Sequence, residues 1–384
     1  MNPFTFNTTP SIVFETGAAK RLGSIACKKL GGNLLFVTDP GLRKLGLCDP
    51  ALASLEEAGA RVTVFDSVEA DPSLATLMKA VEAGRGVTGV IGFGGGSSMD
   101  VAKLAALLLG SGENLDEAWG VAQAKGPRLP LVLVPTTAGT GSEVTPVSII
   151  TVGEEEKRGV SSAVILPDIA VLDAELTLGL PAHITAATGV DAMVHAIEAY
   201  ASKSANNNPL SKMLARQALQ LLGANIETAV FKGSDTAARG AMLLGSMLAG
   251  QAFANSPVAA VHALAYPIGG TFHVPHGLSN ALVLPHVLRF NAPDASHLYA
   301  EIAADAFPAL AREEGTQARC AAFIEELAGL SKKLGMETTL REVKIGKEAL
   351  PKMAADAMKQ QRLLVNNPRE VSEADALAIY TAAW

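Results

Sequence analysis

Apolar residues in the first half of the chain fall in short, nearly continuous runs. Each ends in glycine, proline or a polar turn and gives way to a helical period. Residues 11–15 read as a short strand ended by Gly17, and the helical stretch that follows runs to about residue 30, where Gly31-Gly32 closes it. Residues 33–38 form a buried strand with the turn chemistry of Asp39-Pro-Gly41 directly after it. Residues 61–65 are a further strand and 73–84 a helix. Residues 87–93 are a strand that runs through Gly94-Gly-Gly96-Ser97 into a helix from about 99 to 109. Residues 130–134 and 169–172 complete the group. Strands that alternate with helices need crossover connections, so this half predicts a Rossmann-like α/β domain with a mostly parallel sheet.

After about Gly179 the pattern changes. From Pro181 onward the periods are long, amphipathic or wholly apolar, and helical, as at 211–222, 236–252 and 318–334. Pro257, Pro267, Gly269-Gly270, Pro275, Pro285 and Gly335 mark the expected boundaries between them. The expected organisation is an α/β domain over residues 1–179 followed by an all-α domain over 180–384, with the active site along the seam. A chain of 384 residues exceeds a single ordinary core, which agrees with two domains.

Composition narrows the class. With 49% hydrophobic and 18% charged residues the chain is a packed globule and not a disordered one. A formal charge of -7 and no long basic run give no reason to expect nucleic-acid binding. Cys27, Cys48 and Cys320 are far apart and form no CxxC pair, so neither a disulfide framework nor a cysteine-type zinc site is indicated. The start, Met1-Asn-Pro-Phe-Thr-Phe, lacks the regions of a signal peptide, and no apolar run is long enough to span a bilayer. A cytoplasmic protein is expected.

Three stretches of the first half carry candidate chemistry. In Gly94-Gly-Gly-Ser-Ser-Met-Asp100, three glycines at a strand-to-helix junction allow close backbone approach, and the helix start suits a pyrophosphate. The spacing differs from GxGxxG, and Ser97 with Asp100 also fits a variant capping box. Pro135-Thr-Thr-Ala-Gly-Thr-Gly-Ser-Glu143 sets Thr136, Thr137, Thr140 and Ser142 after a buried strand, where hydroxyls can meet ribose, amide or phosphate oxygens. A solvated loop with Ser142 as a helix cap is the plainer alternative. Asp39, at the end of its strand, suits a ribose diol and would repel a 2′-phosphate, favouring NAD over NADP. It reads equally well as part of a turn.

The second half carries the candidate metal site. Asp191 and His195 lie four apart on a predicted helix, hence on one face, one turn from each other. His262 and His276 fall in Val261–Gly277, where Pro267 and Gly269-Gly270 are expected to break the helix and let the chain turn back. Together they offer one oxygen and three nitrogen donors to a divalent first-row metal. His183, His286 and His297 read as ordinary packed or surface residues.

These segments, in order, resemble the iron-containing (group III) alcohol dehydrogenase family over essentially the whole chain. The matching residues are Gly94-Gly-Gly-Ser-x-x-Asp100, Thr136-Thr-x-Gly-Thr-Gly-Ser-Glu143, Leu166-Pro-Asp168 with Leu172-Asp173, Thr188-Gly-x-Asp-Ala-x-x-His-Ala-Ile-Glu198, His262 to His276-Gly277, and Asn367-Pro-Arg369. The resemblance implies a dehydroquinate synthase-like architecture. It implies ligation of ferrous iron, or of zinc in some members, by Asp191, His195, His262 and His276. It also implies Gly94, Gly95, Gly96 and Ser97 on the pyrophosphate, Asp100 and the 136–142 stretch around ribose and nicotinamide, and Asp39 on the adenosine ribose. Phe253 looks like a wall of the substrate pocket, with plain helix packing as its other reading. Lactaldehyde reductase-like members carry a histidine where this chain has Tyr266, and can have a cysteine near Asn367-Pro-Arg369, where this chain has none. Tyr266 and His273 are therefore the candidates for proton transfer, with water as the alternative.

The function expected is NAD(H)-linked, metal-dependent interconversion of small aliphatic alcohols and aldehydes, in a homodimer or larger homo-oligomer. Hydride passes between the carbinol carbon and nicotinamide while the metal stabilises the alkoxide. Maleylacetate reductases, which typically lack the metal, are the nearest rival. A metallohydrolase without dinucleotide is the rival from another class, and the glycine and hydroxyl loops argue against it.

Overall fold

The computed structural model describes residues 3–153 and 156–384. Met1 and Asn2, which open the segment read as lacking a leader, lie outside the described residues. The chain divides into two compact units, Asn7–Gly179 and Leu180–Trp384, the second of which also takes in the described residues before Asn7.

The first unit is α/β. Its elements are β1 (Ser11–Phe14), α1 (Leu22–Leu30), β2 (Asn33–Val37), α2 (Pro40–Lys44), α3 (Asp49–Glu57), β3 (Arg61–Phe65), α4 (Leu74–Ala83), β4 (Gly89–Gly94), α5 (Gly96–Ser111), α6 (Leu115–Ala118), β5 (Gly120–Val121), β6 (Leu131–Pro135), β7 (Val147–Val152), β8 (Glu156–Ser161) and β9 (Ile169–Leu172). Six strands form one sheet in the order β1-β9-β6-β4-β2-β3, and every pairing in it is parallel. The continuous apolar runs are explained by cover on both faces. Leu35, Val37, Val90, Leu131 and Leu133 point into one apolar cluster with residues of α4 and α5. Their neighbours Leu34, Phe36, Ile91, Phe93, Val132 and Val134 point into the other, with α1 and α3. From β2 the chain moves outward to β3, then crosses back to β4 on the other side of β2. The order therefore reverses between β2 and β4, and ligands of open α/β sheets gather beyond the carboxyl ends of strands at such a point. Asp39 follows β2 there, and Gly94–Gly96 end β4 and open α5.

Two features of this unit were not anticipated. β7 and β8 form an antiparallel hairpin, joined in parallel by the two-residue β5. β8 is largely polar and half-buried, so it lacks the apolar run that revealed the main strands. The second feature is Asp168, which accepts from the Leu131 N–H at 2.9 Å and pairs with Arg128 at 2.6 Å and Lys29 at 2.9 Å, tying the start of β6 to the start of β9.

The second unit is helical: α7 (Ala182–Ala201), α8 (Pro209–Phe231), α9 (Thr236–Asn255), α10 (Ala260–Phe272), α11 (His276–Ala306), α12 (Thr316–Lys333), α13 (Leu350–Ala357), α14 (Gln361–Leu364) and α15 (Glu373–Ala383). From Gly189 to Ala201 every residue of α7 is buried, because α8, α9 and α11 all pack on it. Three expected breaks are not breaks. Pro267 and Gly269-Gly270 lie within α10, and Pro285, with Pro293, lies within α11. Proline removes one helical hydrogen bond, at a cost of about 3 kcal/mol. Burial of the surrounding residues, Val261 to Ala265 and Ile268 in α10 and Ala281 to Leu284 in α11, offsets that cost. The turn before His276 comes later, at His273, whose φ of 55° ends α10. Asn367 and Asn291 exchange side-chain amide bonds of 2.7 and 3.0 Å, and Arg369 donates to the Phe290 carbonyl at 2.8 Å. The Asn-Pro-Arg motif thus clasps the C-terminal segment to α11. Among the described residues no helix is long and apolar enough to cross a membrane.

Burial works against the charge of Asp168, but Arg128, the Leu131 N–H and Lys29 together outweigh it and hold the carboxyl below its ordinary value. A depressed carboxyl contributes stability above its unfolded pKa and loses that contribution as pH falls through the folded one. Asp168→Asn is expected to destabilise the protein by about 1–3 kcal/mol at neutral pH. The deficit, read as a difference in Tm, should shrink below about pH 4. A deficit independent of pH would show that the charge is not what matters.

Candidate metal centre

Helix α7 presents Asp191, His195 and Glu198 on its buried side. At 2%, 5% and 5% relative exposure, none of them can rely on water for its polar partners. His262 comes from α10 and is equally buried, whereas the side chain of His276, at the start of α11, is 46% exposed. The close packing that brings α11 in needs glycine at 277, where a Cβ would stand 2.4 Å from the Ala187 carbonyl oxygen of α7. One donor atom from each of Asp191, His195, His262 and His276 lies within 4.8 Å of all the others.

The surroundings orient these donors. Glu198 accepts from the Val261 N–H at 2.7 Å through one oxygen and lies 2.6 Å from His262 Nδ1 through the other. A carboxylate there accepts from Nδ1–H, so the lone pair of His262 is on Nε2, facing the donor set. The His195 ring is stacked between Phe253, at 4.4 Å between centroids, and His262, at 4.7 Å. Asn280, one turn after His276 and wholly buried, sends its side-chain N–H₂ to Asp191 Oδ1 at 2.6 Å. The same nitrogen lies 3.3 Å from both His262 Nε2 and His276 Nε2, while its Oδ1 has no partner. One electropositive group therefore already sits where lone pairs of three of the four candidate ligands converge. The donor set, one hard oxygen and three imidazole nitrogens, is the chemistry that a divalent first-row cation takes. The residues fit a metal. Burial opposes ionisation of Asp191, but His195, His276, His262 and the Asn280 bond outweigh it and keep the carboxyl below its ordinary value.

Phe253, expected as a pocket wall, is half-buried and supports the His195 ring. Tyr266 lies one turn beyond His262, its ring 6.3 Å from that of His276, and its hydroxyl accepts from Arg362 Nη2 at 3.1 Å. His273 is exposed at the end of α10. Asn280 and Arg362 belong to none of the quoted motifs, and Glu198 only closes one, with no role assigned to it. The spacing of Glu198, three after His195 on the same face, was the available signal for it.

In the α/β unit Gly94 has φ 151°, and a Cβ there would stand 2.7 Å from Ser98 Oγ. Thr137 and Thr140 lie over Gly95 and Gly96, and the Thr136 N–H donates to the Gly94 carbonyl at 3.0 Å. The two loops therefore converge, with α5 starting at Gly96. The capping box expected from Ser97 and Asp100 does not form. Gly95 is the N-cap, without a side-chain bond, which leaves the first N–H groups of α5 to the loop. Asp100 instead accepts from Ser142 Oγ and from the Ile149 N–H, both at 2.9 Å. Ser142 Oγ also accepts from Lys103, a wholly buried cation that further bonds the Val147 carbonyl at 2.7 Å and Thr145 at 3.3 Å. Asp100 and Ser142 thus brace the hydroxyl loop. Asp39 caps α2 through the Leu42 N–H, so its turn is the first turn of a helix. Burial lowers the Lys103 ammonium to about 8, raises the Asp100 carboxyl, and pushes Glu143, whose Oε1 lacks a partner, up to about 7.

Comparison with known proteins agrees with this architecture. Residues 9–174 match the family model for iron-containing alcohol dehydrogenase, and residues 185–384 match that for the C-terminal region of the Fe-containing alcohol dehydrogenase family. Long-chain-alcohol dehydrogenase 1 of Geobacillus thermodenitrificans is 42% identical over 93% of this chain and 91% of its own. Sulfoacetaldehyde reductase of Bilophila wadsworthia is 35% identical over 99% of this chain and 98% of its own. Among solved structures, a 1,3-propanediol oxidoreductase superposes with a TM-score of 0.95 at 35% identity, covering 100% of both chains. The chain belongs to the iron-containing alcohol dehydrogenase family. It is an oxidoreductase of alcohols and aldehydes.

Replacing Glu198 by Gln keeps the shape but removes the acceptor charge behind His262. Metal affinity, measured by competition with a chelator, is expected to fall about 10–100-fold, and unchanged affinity would show that Glu198 does not orient the ligand. In the other unit, a carboxyl raised in the folded state weakens stability as pH climbs from 4.5 towards about 7. The Tm advantage of Glu143→Gln over the parent should grow across that interval, and a constant difference would mean that Glu143 ionises freely.

Proposed function

We propose that the protein is a metal-dependent, NAD(H)-linked alcohol dehydrogenase/aldehyde reductase for small aliphatic substrates. Asp191, His195, His262 and His276 hold ferrous iron, with zinc as the alternative ion. The observation that carries this reading is the convergence of the four donors, with Glu198 fixing the tautomer of His262. A bound divalent cation supplies Lewis acidity, and the dinucleotide supplies the hydride-exchanging ring.

The chain's own residues do the rest. Burial of Asp191, His195 and His262 keeps water from three donors, so a small substrate approaches on the side of the exposed His276. Because the Tyr266 hydroxyl accepts from Arg362, its own O–H is directed elsewhere, and we assign proton exchange with the substrate oxygen to Tyr266 Oη. His273 is the second candidate. In the α/β unit, Asn7–Gly179, Gly94–Ser97 take the pyrophosphate with α5 behind them, and Thr136, Thr137 and Thr140 take the ribose and nicotinamide. Asp100 and Ser142 support that loop from behind. Asp39, at the end of β2, faces the adenosine ribose and disfavours a 2′-phosphate.

The domain of residues 180–384 holds metal and substrate. Cys27, Cys48 and Cys320 are all free thiols, which supports a reducing, cytoplasmic setting. Ile12 and Phe14, 37% and 48% exposed on the edge strand β1, support a homo-oligomer, a dimer or larger.

Chelation under anaerobic conditions should abolish NADH-linked reduction of short aldehydes, and ferrous iron should restore it. His262→Ala should lose metal and activity together, and Tyr266→Phe should lower kcat and flatten its pH profile while metal content stays. NAD should exceed NADP in kcat/KM, a preference that Asp39→Ala narrows. Full activity in the chelated protein would overturn the proposal.

A further inference from the structure

Arg362 stands on α14, far in sequence from the candidate ligands, yet the fold sets it on Tyr266, the neighbour of His276. Its guanidinium carbon lies 5.9 Å from the centre of the Tyr266 ring, and Nη2 donates to the Tyr266 hydroxyl at 3.1 Å. The other side of the neighbourhood is His276, whose ring is 6.3 Å from that of Tyr266. Arg362 is exposed, and among the described residues no carboxylate pairs with it. Among the other arginines of the helical unit, Arg216 and Arg289 have acidic partners within 2.7 Å, Arg369 has one at 3.7 Å, Arg239 is buried on carbonyl and hydroxyl oxygens, and Arg319 and Arg341 donate to backbone oxygens.

The position of Arg362 is built, not incidental. Leu363 and Leu364, the next two residues, are 4% and 7% exposed and anchor α14. Asn366 then donates to the Arg362 carbonyl at 3.0 Å and to the Val258 carbonyl at 3.1 Å, binding this segment to the residues that lead into α10. The helix that carries His262 and Tyr266 is thereby tied to the backbone of Arg362. A guanidinium has five N–H donors in a planar fork that matches a carboxylate. One is committed to Tyr266, and among the described residues the others have no acidic acceptor.

We infer that Arg362 is a specificity-determining residue, which selects short aldehydes and alcohols bearing an anionic group at the end remote from the reacting carbon. This rests on the metal-dependent alcohol–aldehyde reading above. The carbonyl oxygen would lie at the donor set, with the carbon to be reduced next to it, and the rest of the substrate passes Tyr266. The terminal anion then meets the guanidinium in a charge-assisted hydrogen bond. A neutral aliphatic substrate leaves Arg362 in solvent and gains nothing from it.

The test uses the full-length, iron-loaded enzyme with NADH, and compares succinate semialdehyde with the neutral pentanal. The parent should have the higher kcat/KM for succinate semialdehyde. Arg362→Leu should lower the ratio of the two by about tenfold or more, chiefly through KM, since a hydrogen bond to a charged group contributes at least that factor. Arg362→Glu should lower it further and Arg362→Lys should restore part of it. Succinate, which cannot be reduced, should compete with pentanal in the parent, less so at high salt and less so in Arg362→Leu. A parent that reduces pentanal but disfavours succinate semialdehyde, or a ratio unmoved by Arg362→Leu, overturns the assignment and leaves the alcohol–aldehyde reading standing. Reduction of neither compound by the iron-loaded parent overturns the underlying reading and this assignment with it.

Discussion

The helical unit depends on the short hydrogen bond between Glu198 and His262. Both groups are buried, on different helices, with little solvent to stabilise either. A carboxylate in such surroundings has to be neutralised or paired. Glu198 is paired twice, with the Val261 N–H and with the imidazole, and so fixes α10 against α7 at one point. Asp191 lies two turns before Glu198 on the same helix and meets the same problem, and its partners are His195, His276, His262 and Asn280. Two carboxylates are thus enclosed with imidazoles whose lone pairs converge. This is a negative pocket that a divalent cation neutralises while satisfying the donors. Packing, tautomer choice and charge balance have one solution there.

Residues far along the chain complete that solution. Gly277 admits the backbone of α11 against α7 and so sets His276 near Asp191. The Asn291–Asn367 exchange and the Arg369 bond to Phe290 hold the C-terminal segment on α11. Tyr380 donates to the Leu264 carbonyl at 2.6 Å, so α15 also bears on the helix of His262. The α/β unit uses one buried cation in a comparable way. Lys103 gathers Ser142, Thr145 and the Val147 carbonyl behind the hydroxyl loop, leaving Thr137 and Thr140 to face the glycines.

The parts that were legible in the sequence follow local rules. The runs that became β2, β4 and β6 are apolar throughout because both faces of a parallel sheet are covered, and the i, i+4 spacing of Asp191 and His195 states a shared helix face. The parts that were not legible depend on tertiary context. Pro267 and Pro285 read as helix ends because local propensity disfavours them, but burial of the flanking residues overrides propensity. Ser97 and Asp100 have the spacing of a capping box, yet Asp100 finds Ser142 and Ile149, more than forty residues on, and Gly95 becomes the cap. Lys103, in the otherwise apolar stretch of α5, was an anomaly visible in the sequence whose partners were not. Asn280 gave no local sign, since its role exists only once three helices meet.

The unequal burial of the four donors has a consequence for selectivity. Three of them lie at 5% exposure or less and can touch only protein and a bound ion, so they cannot distinguish one alcohol from another. His276 is the one accessible member, and whatever reaches the site passes the groups around it. Tyr266 is one of these, and the Arg362 guanidinium that donates to its hydroxyl is paired with no carboxylate among the described residues. The candidate ligands stand on α7, α10 and α11, whereas Arg362 stands on α14, against the face of α10 that carries Tyr266. Substitution there disturbs no ligand and no buried charge. The motif residues of this chain thus speak to reaction class, while Arg362, inferred above to select the substrate, lies outside them.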